Sequence, residues 1–430
     1  MISGAGDVHL REMLAIAPAR TTTAAIPLQR REARSPAPAR SRIESIDLLR
    51  GAVMILMALD HVRGYFHFDS LVFSPTDLQR TTPALFATRL ITHLCAPTFI
   101  LLAGVSAHFI ARRKTVRGAS TFLLSRGAWL VLLQLTVIRF AWNFDPAFRY
   151  NSSNIISTIG FSMMALALLI HLRPGALLAV GLAMVLGHNA LDGVSFADGS
   201  AADVVWSFLH VRKMYALGQD GSFLFLYPLI PWVGVMALGY CLGRMYNADW
   251  SAQSRRRTLL GLGGASLLAF TVLRCTNLYG DPSPWVPQAL PSRTVLSFLN
   301  VEKYPPSLLY LCLTLGVALL LLGLLEGRNL RRWKPVVTLG KVAFFYYVVH
   351  LFVIHAVALL AVVSAGYPWR TMVFHGAQLE PSPLLKGKFG FTLGQTYAVW
   401  AGIVLLLIPL CVRWNAFKER HKAAWWVSYV

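Results

Sequence analysis

The residues best placed for chemistry lie in one apolar segment, Ser45-Ile-Asp47-Leu-Leu-Arg50-Gly51-Ala-Val-Met-Ile-Leu-Met-Ala-Leu-Asp60-His61-Val-Arg63. Charged groups are costly to place in lipid, so ionisable residues in so apolar a stretch are candidates for function. Asp47 and Arg50 are three residues apart, one helical turn, and can pair. Arg50 and His61 are eleven residues apart. On a helix they share a face, about 20° past three full turns and about 16 Å apart along the axis. An arginine at one end can hold an anionic group, and a histidine at the other can take up or release a proton near neutral pH. Asp60 could tune the neighbouring His61, or bind Arg63 instead.

Further polar positions fall in later apolar runs. His93 opens the second and could meet His61 across a helix pair, or serve as an interfacial residue. Arg139, near the end of the third, is most simply an anchor reaching out to the interface. Lys341 and His350 fall in Gly340-Lys341-Val-Ala-Phe-Phe-Tyr-Tyr-Val-Val-His350. Lys341 stands where it could contact phosphate, and His350 near the middle of its span. The candidate catalytic residues are therefore His61, Asp60 and His93. Arg50, Asp47 and Lys341 are the candidates for an anionic cofactor. The five cysteines form no CxxC or CxxH pattern, and no HExxH is present, so no metal is expected. Phosphate-loop and GxSxG signatures are also missing.

The elements that must position these residues are membrane helices. Of 430 residues, 56% are hydrophobic and only 14% charged, against about a quarter charged in soluble domains. A helix crosses the hydrocarbon with about 20 apolar residues. Ten such runs are predicted, at roughly 46–66, 90–110, 123–142, 154–171, 174–191, 223–243, 257–275, 307–325, 337–363 and 391–412. The fold class is thus all-α, a polytopic transmembrane helical bundle. Arg173-Pro174-Gly175 reads as a tight turn between the fourth and fifth, and the ninth is long enough to be tilted or broken. Ala201 to Leu217 reads as an amphipathic helix on the membrane face.

A net charge of +21 raises the question of nucleic acid. The basic residues cluster between alternate spans, at Arg112–Arg117, Arg173, Arg244 with Arg255–Arg257, Arg328–Lys334 and Arg413–Lys422. That zigzag follows the positive-inside rule, puts both chain ends in the cytoplasm and removes the nucleic-acid reading. The bilayer is the expected partner. Residues 1–42 lack the apolar core of a signal peptide and read as a disordered basic cytoplasmic tail ahead of a multi-pass domain at 43–430.

Ile46-Asp47-Leu-Leu-Arg50-Gly51, with Asp60-His61, resembles the start of the heparan-alpha-glucosaminide N-acetyltransferase catalytic-domain family, specifically its bacterial membrane members. The likeness continues in His93-Leu-Cys-Ala-Pro97-Thr-Phe-Ile-Leu-Leu-Ala-Gly104, Ile159-Gly160-Phe-Ser-Met, Tyr227-Pro-Leu-Ile-Pro-Trp232, Lys303-Tyr-Pro-Pro-Ser-Leu-Leu and Phe344-Phe-Tyr-Tyr-Val-Val-His350. The Arg50 to His61 spacing is also similar to that of wider membrane acyltransferases acting on surface sugars. The resemblance implies a bacterial inner (plasma) membrane protein, often a homodimer, with acetyl-CoA as cytoplasmic donor and a glycan or small polar acceptor on the far side. On it, Asp47 and Arg50 would shape a cytoplasmic mouth that receives the donor's phosphates, with the nearby basic loops helping. His61, oriented by Asp60, would be general base or transient acyl carrier, with His93 assisting. The lysosomal member carries its reactive histidine in the loop after the first span; that loop here holds His67, at a different spacing. Two other readings stand beside the enzyme: a transporter or permease relaying protons through Asp60, His61 and His350, and a non-catalytic membrane protein.

Overall fold

A computed structural model describes residues 43–374, 382–424 and 427. The expected tail at 1–42 lies outside them. The first helix, α1 (Glu44–Phe66), starts from extended Ile43 and stops at extended His67. Glu44 and Asp47 in its first turn and Arg63 in its last match the helix dipole. Next come α2 (Pro83–Thr92), α3 (Cys95–Ala111), α4 (Val116–Leu133) and α5 (Arg139–Asn143). A single π turn, Gln134–Ile138, joins α4 to α5. Then follow β1 (Tyr150–Ser153), α6 (Ile155–Leu169), α7 (Pro174–Gly187), α8 (Ala201–Leu209), β2 (Lys213–Leu217), β3 (Gly221–Phe225), α9 (Leu229–Gly243) and α10 (Ala252–Thr276). The chain closes with α11 (Pro291–Leu299), α12 (Leu308–Leu325), α13 (Lys334–Lys341), α14 (Ala343–Ser364) and α15 (Leu393–Arg420).

Among the described residues, eight helical stretches are long and apolar enough to cross a membrane: 83–111, 116–143, 174–191, 229–246, 252–276, 308–325, 343–364 and 393–420. The outer ones turn their apolar surface outward. Only 22% of the apolar window of α10 is buried, with Leu268 64% exposed, and Leu405 of α15 is 67% exposed. So much exposed aliphatic surface requires lipid rather than water around it. Two of the ten expected spans are helices outside those eight. In α1 the ionisable residues dilute the apolar run, and α6 has fifteen residues.

Helix α1 is central, touching α2, α3, α12, α13, α14 and α15. Its closest neighbour is α13, and two glycines set that distance. A Cβ on Gly51 would overlap the Val336 carbonyl, and one on Gly340 would overlap that of Asp47. Small residues allow this backbone-to-backbone approach between membrane helices. Gly104 and Gly239 do the same where α3 crosses α9.

The expected ninth span is broken. Val342 (φ −119°, ψ 33°) leaves the helical region and separates α13 from α14. The hairpin at Arg173-Pro174-Gly175 is present, with Pro174 opening α7. The helix expected over Ala201 to Leu217 ends at Leu209. Lys213–Leu217 is instead a strand, antiparallel to β3 across a turn with Gly218 at φ +67°. Backbone bonds in that hairpin, with β1 added in parallel, replace the helical ones, and the start expected for the sixth span falls inside β3. Arg139, expected to reach outward, is buried; its Nε donates to the Tyr150 carbonyl and it lies 3.9 Å from the Phe148 ring centroid. Beyond α5, buried Asp145 accepts from the backbone N–H groups of Ala147 and Arg149 and from the Arg149 guanidinium. Burial opposes the carboxylate, but these bonds outweigh it and hold its pKa down at about 2.

Candidate active site

Arg50 is held from three helices. Its Nη1 donates to Asp47 Oδ1 at 3.0 Å and to the Gly340 carbonyl at 3.4 Å, and its Nη2 donates to Ser106 Oγ at 3.0 Å. The glycine crossing of α1 on α13 brings Gly340 this close. Lys341 follows it as the last residue of α13. Asp47, 2% exposed, serves as the counter-ion that keeps the guanidinium in place.

Eleven residues along α1, His61 meets His350 of α14, with Nδ1 to Nε2 at 2.7 Å and the rings near parallel, 4.9 Å apart. The second nitrogen of His350 assigns the protons. His350 Nδ1 lies 2.9 Å from the Tyr346 carbonyl. A carbonyl only accepts, so Nδ1 carries the proton, and in the neutral ring Nε2 accepts. His61 Nδ1–H must then be the donor to it, which leaves the lone pair of neutral His61 on Nε2. The edge of the Trp142 ring fixes the plane further, with centroids 4.7 Å apart. A histidine held in one tautomer, with one nitrogen committed and the other offered, is arranged as a base.

Asp60 does not take this orienting part. It accepts from Arg63 Nη2 at 2.9 Å and from Arg89 Nη1 of α2 at 2.6 Å. Of its two possible partners the arginine is the one observed, because a carboxylate between two guanidiniums is better compensated than one beside a neutral imidazole. Lys303 and Tyr304 lie nearby, in the segment before α12. Burial alone would raise the Tyr304 phenol, but the charges of Lys303 and Arg89 outweigh it and lower its pKa to about 8.

A cavity of about 350 Å³ joins the two ends of α1. Arg50, Ser106 and Lys341 line it together with His61, Asp60 and Lys303. The family model for the heparan-alpha-glucosaminide N-acetyltransferase catalytic domain matches residues 42–273, more than half of the chain. The chain belongs to that family. No curated protein matches it. Membership in this acetyltransferase family, with eight helices of membrane length and composition, makes the chain an integral membrane protein of the acetyltransferase class.

The matched family region holds Arg50, Asp60, His61, Arg89, Ser106 and Trp142, whereas Lys303, Lys341 and His350 come from beyond it. Among the described residues no hydrogen bond or ring contact joins His93 to His61. His93 is buried, its ring packs edge-on to Tyr310 at 5.4 Å, and its carbonyl accepts from the Tyr310 hydroxyl. The flanking Thr92 and Cys95 reach the cavity. The sequence joined His350 to His61 only in the permease reading, and Trp142, Ser106 and Arg89 went unnoticed in it. The carbonyl that His350 Nδ1–H meets is backbone, which any residue at position 346 would supply, so it left no signal in the sequence.

Proposed function

We propose that this chain is a transmembrane acetyltransferase that moves an acetyl group from cytoplasmic acetyl-CoA to a sugar or other polar acceptor on the far side of the membrane. The reading places ten helices across the bilayer, adding α1 and α6 to the eight, with both ends of 43–430 in the cytoplasm as the basic loops suggest. One observation carries it: a single cavity is lined at one end by Arg50 and Lys341 and at the other by a histidine held in one tautomer. Arg50 and Lys341 would meet the phosphates of the donor, with its pantetheine arm running along α1 towards His61. The acceptor would enter from the other side, past Lys303 and Tyr227.

His61 Nε2 takes the proton of the acceptor O–H or N–H as that atom attacks the thioester carbonyl. The carbon–sulfur bond breaks, and the imidazolium returns the proton to the departing CoA thiolate. His350 keeps Nδ1–H engaged throughout and disperses the positive charge towards the Tyr346 carbonyl. Asp60, tied to Arg63 and Arg89, shapes the far end without moving a proton.

The test uses protein in lipid nanodiscs with acetyl-labelled acetyl-CoA and a panel of amino sugars and polysaccharide fragments. Label should reach an acceptor in the wild type and fall below 1% of that rate in His61→Gln, which should still bind acetyl-CoA. Undiminished transfer by a folded H61Q protein would sink the base role. Label surviving on denatured protein would replace direct transfer with an acyl-histidine route. Solute uptake by vesicles without acetyl-CoA consumption would favour a permease instead.

A further inference from the structure

His188, Asp192 and His210 lie apart from the cavity; none of them lines it. His188 opens the short turn His188–Leu191 that ends α7, Asp192 follows that turn, and His210 caps α8. Among the described residues, this is the group of three or more His, Cys, Asp or Glu whose ligand atoms converge, all within 4.8 Å of one another. His210 Nε2 lies 2.9 Å from Asp192 Oδ1, and the two imidazole rings meet edge to face at 5.9 Å.

The second observation is His188 itself. It is 1% exposed, and neither ring nitrogen has a hydrogen-bond partner among the described residues. His210 Nδ1 is likewise buried without one. A buried imidazole with both nitrogens idle leaves its polar atoms uncompensated by protein, and native structures meet such atoms with an ion, an ordered water or another partner. Asp192 has its other oxygen fixed by Asn189 Nδ2–H at 2.9 Å, a support of the kind that orients metal-binding carboxylates. Its side chain is 31% exposed, which gives an ion a way in from solvent.

We infer that His188, Asp192 and His210 bind one divalent transition-metal ion of the zinc class. Two imidazoles and a carboxylate are borderline ligands suited to zinc and poor for magnesium or calcium, which prefer all-oxygen shells. At metal–ligand lengths of about 2.0–2.2 Å, tetrahedral ligand atoms stand about 3.3–3.5 Å apart. The site closes when the widest separation shrinks by little more than an ångström and the His210–Asp192 bond opens slightly. Three ligands leave the fourth position to water. The ion would tie α8 and the β2–β3 hairpin that follows it to the end of α7. Spacings of four and eighteen residues match no common ligand motif, so the pattern was invisible in the sequence.

The experiment takes tag-free full-length protein, stripped with chelator, and titrates it with Zn²⁺ or Co²⁺ alone. One equivalent of Zn²⁺ should bind at micromolar or lower free metal, and the melting midpoint should rise. The Co²⁺ form should show the intense visible bands of a four-coordinate site, bleached by one equivalent of Zn²⁺. His188→Gln and Asp192→Asn should each weaken binding at least 30-fold, while His61→Gln should bind as the wild type does. Absence of stoichiometric binding, weak octahedral Co²⁺ bands or unchanged affinity in folded H188Q would overturn the site. If H188Q fails to fold, the spectrum and stoichiometry of the native protein decide.

Discussion

Replacing His350 tests the proton assignment directly, because His350 enters the reaction only through His61. In His350→Leu the acceptor for His61 Nδ1–H disappears from a bond of 2.7 Å. A buried donor left without a partner loses about 2–3 kcal/mol in so enclosed a setting. That amount no longer favours the tautomer with its lone pair on Nε2, and the same amount is lost as the imidazolium forms. At 1.36 kcal/mol per tenfold, kcat should fall about 30- to 150-fold. KM for acetyl-CoA should stay near its wild-type value, since Arg50 and Lys341 are untouched. In His350→Gln a carbonyl oxygen can occupy roughly the place of Nε2 and accept the same hydrogen, so most of kcat should return. The assay is initial-rate acetyl transfer in nanodiscs, with both constants measured for each variant. An H350L enzyme within twofold of the wild type, or an H350Q enzyme as slow as H350L, would refute the reasoning.

Further outcomes follow from other parts of the molecule. Gly340→Ala would push a methyl into the Asp47 carbonyl and force α1 and α13 apart, costing about 2 kcal/mol or more and raising KM for acetyl-CoA; a thermal melt with steady-state kinetics checks both. Acetyl-CoA at about 100 times its dissociation constant should add about 2.7 kcal/mol of stability, seen as a higher melting midpoint that Arg50→Ala reduces. The Asp145 pKa is lowered on folding to about 2, so its stabilisation is present above the ordinary carboxylate range and lost as pH falls through about 2. Asp145→Asn should therefore cost about 1–2 kcal/mol at pH 6, discounted for the exposed Arg149, and the gap to wild type should narrow as pH falls from 4 to 2 in denaturant melts.

The helical framework was legible because apolar runs of span length have few alternatives in lipid. Where the sequence misled, a run continued across a change of structure. The apolar stretch through 223–243 includes the end of β3 and the break at Pro228, and hydropathy weighs strand and helix alike. Within the site, Arg50 and His61 could be placed on one face because both lie on one helix, where 100° per residue decides. Asp60 with Arg63 was legible for the same reason. The Arg89 contact and the His61–His350 pair, 289 residues apart, depend on how helices pack, which periodicity along a single segment does not encode. For His93 the contact that the structure gives is with Tyr310, a partner 217 residues away that likewise depends on helix packing.

The break at Val342 has a mechanical consequence. The short helix before it is locked to the first helix by interlocking glycines, so Lys341 and Arg50 behave as one rigid bracket. The long helix after it carries His350 and is joined to that bracket by a single non-helical residue. A change of angle at this joint would alter the reach from His350 to His61 while leaving the bracket as it is. On the proposed function, the bracket that would grip the donor and the arm that sets the base are thus built on separate helices joined at one residue.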